Sequence, residues 1–467
     1  MANPYLPNWE YIPDGEPRVF GNRVYIYGSH DSAGSDKFCD YKLKVWSASI
    51  DNLNHWVCHG DIFHTRLDRD HASDIDYSDN DLYAPDVVEK DGKYYLYAYV
   101  VNARGCVAVS DRPEGPFKLI STYKYNIPEG RENDFCGHHG CPGIFVDPGV
   151  LVDDDGRVYI YCGFQRSYMA EINADNMYEI IDGTYKDDII PVDDPHRFFE
   201  ACSPRKVGNV YYMIYSPNPG SRLVYATSAS PAGPFTFRGI IIDNADDYPG
   251  GNNHGSICKI KDQWYIFYHR MTNGTIMSRR ACVERITMLP DGSIPQVKMT
   301  SLGFEESLSP YNITPADIAC VFKSGAETNS PCMITELNIF NRIITNITAG
   351  CIIGYRYFDF GEDFSGATME FSVNVRGFGC KSKIRILIDS YVLEKNADDS
   401  GSADTAVGAE IGVCEVGMND GIYSTIVKKV TGRHAVFFII EENFGGWFKD
   451  MFKGRNLFDL LSFVFNK

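Results

Sequence analysis

Gly21-Asn-Arg-Val-Tyr25-Ile-Tyr27 is a turn followed by an aromatic-rich strand, and four close variants of it follow along the chain. They are Gly92-Lys-Tyr-Tyr95-Leu-Tyr97, Gly156-Arg-Val-Tyr159-Ile-Tyr161, Gly208-Asn-Val-Tyr211-Tyr212-Met-Ile-Tyr215 and Asp262-Gln-Trp-Tyr265-Ile-Phe-Tyr268. The markers Tyr25, Tyr95, Tyr159, Tyr212 and Tyr265 stand 70, 64, 53 and 53 residues apart. Between them lie further short apolar runs closed by turn residues, such as Val107-Ala-Val-Ser-Asp-Arg-Pro-Glu-Gly-Pro-Phe117 and Leu223-Val-Tyr-Ala-Thr-Ser-Ala-Ser-Pro-Ala-Gly-Pro-Phe235. Each period therefore holds about four strands, the content of one propeller blade. A lone blade cannot bury both of its faces, whereas five packed around an axis bury them against each other and leave only short edges. The pattern predicts an all-β protein that begins with a five-bladed β-propeller; the alternative is a long β-sandwich with chance internal similarity.

Composition agrees with this reading. Thirty Tyr, 28 Phe, 42 Gly and 23 Pro in 467 residues favour many short strands and turns over helical bundles. A hydrophobic share of 44% with 23% charged residues supports a real core. The 44 Lys+Arg against 62 Asp+Glu leave a formal charge of −18, which argues against a nucleic-acid partner. The start, MANPYLPNWEYIPDGEP, has neither the basic nor the apolar part of a secretory signal, and no transmembrane run follows, so a cytoplasmic location without membrane contact is expected. Fourteen scattered Cys fit reduced thiols better than a disulfide framework. Cys136-Gly-His-His-Gly-Cys141 is the one local cluster, readable as a zinc site or as an ordinary Gly-rich loop.

The repeat ends near Ile294-Pro-Gln-Val-Lys-Met-Thr300. Beyond it, the alternating runs Thr368-Met-Glu-Phe-Ser-Val-Asn-Val375, Lys383-Ile-Arg-Ile-Leu-Ile-Asp389 and His434-Ala-Val-Phe-Phe-Ile-Ile440 lack the marker and read as an antiparallel β-sandwich. Two domains are expected, a propeller over 1–303 and a sandwich over 310–467.

Acidic residues recur where the repeats begin: Asp14, Asp86, Asp147 and Glu200, with Asn253-His254-Gly255 opening the fifth. The first strand of every blade lines the central channel, so these residues converge at one mouth. Clustered carboxylates raise one another's pKa, which suits a general acid beside a general base, the pairing that glycoside hydrolysis needs. Any one of these acids alone is a common turn former, and Asp86 is read as structural. Glu200, following Phe198-Phe199, has the partly apolar setting that keeps a carboxyl protonated near neutral pH.

Taken in order, Ile12-Pro-Asp14-Gly-Glu-Pro17, Ala84-Pro-Asp86-Val-Val88, Val146-Asp147-Pro-Gly149, Phe198-Phe-Glu200-Ala201, Asn252-Asn-His254-Gly-Ser256 and Ser278-Arg279-Arg280 resemble the successive motifs of glycoside hydrolase family 43. The resemblance covers residues 1 to about 303 and implies an inverting hydrolase. It assigns Asp14 as the base that activates water, Asp147 as the carboxylate that orients and tunes the acid, and Glu200 as the acid. It also implies that His254 stands near a divalent ion, calcium held mostly by water, and that Arg279 reaches the substrate hydroxyls, with Tyr83 and Phe199 at the sugar. Arg279 and Arg280 are adjacent, and either could face inward. More weakly, the chain from about 310 resembles carbohydrate-binding module family 6, with Trp447 as a stacking platform or a core residue. The implied activity is release of terminal α-L-arabinofuranosyl groups from arabinoxylan or xylo-oligosaccharides. A β-xylosidase is the alternative, and a non-catalytic carbohydrate-binding propeller is the rival from another class.

Overall fold

The computed structural model describes residues 1–126, 145–325, 331–393, 407–445, 451 and 453–467. Cys136–Cys141, read as zinc ligands or a Gly-rich loop, and Trp447, read as a platform or core residue, lie outside the described residues. Among the described residues the chain is strands and one short 3-10 turn, and no helix is long and apolar enough to cross a membrane.

The first nineteen strands make five antiparallel sheets in sequence order. The first holds β1 (Glu16–Phe20), β2 (Arg23–Gly28), β3 (Lys42–Ser49) and β4 (Asn52–His64). The second holds β5 (Leu82–Lys90), β6 (Lys93–Val100), β7 (Cys106–Ser110) and β8 (Lys118–Thr122), and the third β9 (Gly149–Val152), β10 (Val158–Cys162), β11 (Tyr168–Ile172) and β12 (Lys186–Asp187). The fourth holds β13 (Phe198–Val207), β14 (Val210–Pro217), β15 (Arg222–Ser228) and β16 (Thr236–Asp243). Every marker tyrosine falls on the second strand of its sheet.

The fifth sheet departs from the expected four strands. It has three, β17 (Ser256–Ile260), β18 (Gln263–Met271) and β19 (Arg279–Ile286). The start of the chain serves as its outer edge: the Asn3 side chain donates to the Val283 carbonyl at 2.8 Å and accepts from the Val283 N–H at 2.9 Å, and the Tyr5 N–H donates to the Ala281 carbonyl at 3.2 Å. Tying the N-terminus to the last blade closes the ring without leaving that edge unpaired.

Separate apolar cores fill the seams. Tyr27, Val45, Leu96 and Ala108 pack between the first and second blades, and Tyr97, Val107, Val150 and Ile160 between the second and third. Tyr161, Met169, Met213 and Val224 fill the next seam, and Ile26, Trp46, Phe267 and Val283 join the first blade to the last. Inner strands touch around the axis, β1 beside β5 and β17, and β9 beside β5 and β13.

The remaining strands form two stacked sheets. In one, Phe458–Asn466 lies between Asn341–Thr345 and Thr368–Gly377; in the other, Arg433–Glu442 lies between Ile352–Asp359 and Ser382–Ile388. Their facing side chains, among them Tyr355, Phe371, Phe438 and Phe463, belong to the same apolar cluster as Ile257, Ile266 and Tyr268 of the fifth blade. Polar links reinforce this seam: Arg342 donates to the Tyr11 hydroxyl at 2.7 Å, and Arg356 donates to Asp247 at 2.6 Å. The C-terminal sheets therefore share their core with the propeller.

Candidate active site

Strand register sorts the inner-strand residues into rings around the axis. Glu16, Asp86, Gly149, Ser203 and Ser256 pair with residues two places beyond each marker tyrosine and form one ring. Two residues earlier lies the next ring, holding Asp14, Ala84, Asp147, Ala201 and His254, with Glu200 beside Ala201 at a register shift in β13. Asp14, Ala84, Asp147 and Ala201 all adopt left-handed backbone, with φ of 56°, 30°, 51° and 67°. Such conformations are strained and gather at functional sites. Here Asp14 and Asp147 stand just before β1 and β9, and Ala84 and Ala201 fall at register shifts within β5 and β13, all at a common level, the mouth of the channel.

The lower ring is a scaffold. Arg18 forks onto Asp86, Nε to Oδ1 at 2.9 Å and Nη2 to Oδ2 at 2.6 Å, and Asp86 also accepts the Val150 N–H at 2.7 Å. Glu16 accepts from Arg205 and Ser203, and Ser203 meets Ser256 at 2.6 Å. These groups cross-link blades one, two, three, four and five, so the carboxyl of Asp86 is used up one layer below the mouth.

In the upper ring Asp14 is buried and surrounded by donors. Its Oδ2 accepts the Ser29 hydroxyl at 2.7 Å, and its Oδ1 accepts Arg279 Nη1 at 2.9 Å. Ser29 in turn accepts the Ala84 N–H at 2.7 Å, which fixes the hydroxyl proton toward Asp14. The Asp14 N–H donates to His269 Nδ1 at 3.1 Å, while His269 Nε2 donates to the Asn252 carbonyl at 2.9 Å. Burial and the Arg279 charge push His269 down to about 3, so the ring is neutral, as that pair of bonds requires. Burial opposes ionisation of Asp14, but Arg279, His254 and the Ser29 hydroxyl outweigh it and hold the carboxyl at about 2.

Arg279 is placed by Asp31, which accepts from Nε, Nη2 and the Arg279 backbone N–H, each at 2.9 Å. Nη2 also approaches Cys39 Sγ at 3.3 Å, and the guanidinium lies 4.8 Å from the centroid of the Phe38 ring. Four of its five N–H groups thus have protein partners, one N–H of Nη1 being the fifth. The chief work of Arg279 is to keep Asp14 charged. Strand alternation settles the Arg279–Arg280 ambiguity: Arg279 faces the mouth, and the equally buried Arg280 points the other way, 3.8 Å from Asp317 near the C-terminal sheets.

Asp147 and Glu200 have the opposite electrostatics. Burial, followed for Asp147 by its proximity to Glu200 and Asp14, pushes it up to about 7 against the pull of His254. Burial and then the Asp14 charge push Glu200 up to about 7 as well, against a weaker pull from Arg279. The two carboxyls titrate as a pair that retains a proton near neutrality beside a base that is fully ionised. His254 bridges the sides: its Nδ1 is 3.8 Å from Asp14 Oδ1 and 3.7 Å from Asp147 Oδ2. Phe199 meets Phe164 at 5.0 Å between ring centroids, with both rings part-exposed, and Tyr83 meets Tyr99 at 6.3 Å. One ionised carboxylate and a carboxyl pair that retains a proton, gathered at one opening, are the kind of pairing that hydrolysis of a glycosidic bond uses.

Residues 10–294 match the family model for glycosyl hydrolases family 43. The chain belongs to glycoside hydrolase family 43. This hydrolase is 38% identical over 408 residues to a xylosidase/arabinosidase of Thermoclostridium stercorarium, an alignment covering 76% of this chain and 82% of the relative. Its fold matches along its whole length, at 23% identity and a TM-score of 0.53, a Bacillus subtilis family 43 arabinoxylan arabinofuranohydrolase solved with cellotetraose, 97% of which is covered. A family 43 β-xylosidase/α-arabinofuranosidase from a compost metagenome, solved with xylotriose in a calcium-free form, aligns over 64% of this chain and 98% of its own at 28% identity, TM-score 0.51. Membership makes the family 43 chain a glycoside hydrolase and sets aside the non-catalytic propeller.

The structure brings Asp14, Asp147, Glu200, His254 and Arg279 into one electrostatic unit and leaves Asp86 outside it. Sequence reading did not single out Ser29, Asp31 or His269. The first two lie just after β2 in Gly28-Ser-His-Asp31, and His269 lies near the end of β18. Only His269 carried a signal, two residues past the fifth marker strand's Phe267, on the same strand face.

Proposed function

We propose that this hydrolase is an inverting, exo-acting glycosidase that releases terminal α-L-arabinofuranosyl groups from arabinoxylan or xylo-oligosaccharides. The observation that carries the reading is the split in protonation at one mouth, Asp14 held at about 2 and the Asp147–Glu200 pair pushed up to about 7. In this reading Asp14 takes a proton from water as the water oxygen bonds to the anomeric carbon. The bond from that carbon to the leaving oxygen breaks on the opposite face, and Glu200 gives that oxygen its proton. Asp147, across His254 from Asp14, is a positioning residue that shares the proton retained near neutrality with Glu200. Arabinose is favoured by the whole-length fold match to an arabinoxylan arabinofuranohydrolase; xylose release is the second reading, because the T. stercorarium relative is named for both activities. Incubation with aryl arabinofuranoside, aryl xyloside, arabinoxylan and linear arabinan tests it. Free arabinose from the first and third substrates is expected, and xylose alone would replace it with the second reading.

The propeller over 1–303 carries this site in our reading, and the sandwich over 310–467 packs against it. All twelve cysteines among the described residues are free, which supports a reducing, cytoplasmic setting. The calcium expected at His254 would find no chelating set there, because Asp14 is already engaged by Ser29 and Arg279. A single imidazole with flanking carboxylates suits only an ion held chiefly through water. Such an ion would add positive charge beside Asp14. Exhaustive chelation is then expected to lower kcat, with recovery on adding calcium; unchanged activity would leave His254 as the link between Asp14 and Asp147.

A further inference from the structure

Outside the catalytic mouth, the connection from the first blade to the second carries a second cluster of ligand-type side chains. Asp61 and His64 sit at the end of β4, and His71 sits in the loop that follows. One ligand atom from each lies within 4.8 Å of the others, the only such group of three among the described residues. His64 is 1% exposed, yet neither of its ring nitrogens makes a hydrogen bond. Each nitrogen instead faces a carboxylate at ion-pair range, too far for a good hydrogen bond, and a buried polar group in that state calls for an explanation.

The surroundings supply one. His64 Nε2 is 3.5 Å from Asp61 Oδ2, and Nδ1 is 3.6 Å from Asp68 Oδ2. Two ligands of a tetrahedral ion with bonds of about 2.1 Å stand about 3.4 Å apart, so the first separation is already the edge of such a polyhedron. The His71 ring stacks on His64 at 4.4 Å and is exposed, free to turn its nitrogen inward. The loop is held in place by its own bonds: Asp68 accepts the His71 N–H at 2.8 Å, and the Asp74 N–H donates to the His64 carbonyl at 2.8 Å. Lys42 Nζ, 3.4 Å from Asp61 Oδ2, is the competing cation and is itself partly exposed, so it can swing aside.

We propose that Asp61, His64 and His71 bind a divalent transition metal of the zinc class, which clips the loop between His64 and Asp74 to the end of β4. Two imidazoles and one carboxylate favour such an ion over calcium, which prefers oxygen ligands throughout.

The test uses the full chain stripped with chelator and titrated with zinc chloride against a chromophoric competitor. One zinc per chain is expected in the wild type and in His254→Ala, with affinity at least about tenfold weaker in His71→Ala. His71 is exposed, so this variant should fold; Asp61→Asn is the second. Arg69, 91% exposed within the loop, supplies a readout independent of stoichiometry. Zinc should slow tryptic cleavage after Arg69 in the wild type and not in His71→Ala. Zinc binding unchanged in both His71→Ala and Asp61→Asn, or no zinc bound by the wild type, would overturn the proposal.

Discussion

Asp14→Asn is expected to reduce kcat on every substrate by about 10²- to 10⁴-fold, the range lost with a general base, while leaving KM nearly unchanged. The substitution is nearly isosteric: its one oxygen can still accept from Arg279, while the amide NH2 takes the place of the oxygen that accepted the Ser29 hydroxyl, which must turn to accept instead. What disappears is the charge. Because water must be activated whatever the leaving group, aryl and natural glycosides should suffer alike, and steady-state kinetics on one of each is the measurement. A loss confined to natural glycosides would move Asp14 out of the base role.

Glu200→Gln should behave differently. Natural xylo- and arabino-oligosaccharides leave as poor alkoxides and need the proton, so their kcat/KM should fall by about 10²- to 10⁴-fold; aryl glycosides with acidic phenols need it less and should keep most of theirs. The pH profile carries the same information. Glu200 is raised, so its active, protonated form is lost as pH climbs through about 7; Asp14 is lowered, so its active, ionised form is lost only as pH falls toward about 2. Wild-type kcat/KM on oligosaccharides is therefore expected to hold on the acid side of neutrality and drop about tenfold per pH unit well above 7. On aryl substrates Glu200→Gln should lose that alkaline decline. Equal losses on both substrate classes would remove Glu200 from the acid role.

The propeller was legible because one physical demand repeats. The second strand of each blade must be apolar on both faces and follow a tight turn, and Tyr25, Tyr95, Tyr159, Tyr212 and Tyr265 report it five times. The missing fourth strand of the last blade was not legible, since closure by Asn3 and Tyr5 uses side-chain and single backbone bonds without strand periodicity. Asp86 looks like Asp14 in sequence because both follow proline. Only the register shows that it pairs with Tyr97 as Glu16 pairs with Tyr27, one ring below the mouth. Ser29 and Asp31 escaped notice for a related reason. They act through Asp14 and Arg279, residues 15 and 248 positions away respectively, and no local pattern marks a partner so distant.

The central claim is that an ionised Asp14 delivers water to the face of the sugar opposite Glu200, in a single displacement. Proton NMR of the anomeric signals in the first minutes of hydrolysis tests this before mutarotation blurs the product. The account predicts that the free sugar appears first with the anomeric configuration opposite to that of the glycoside. Initial release with retained configuration would require a covalent glycosyl-enzyme intermediate and would contradict the assignment of Asp14 as base.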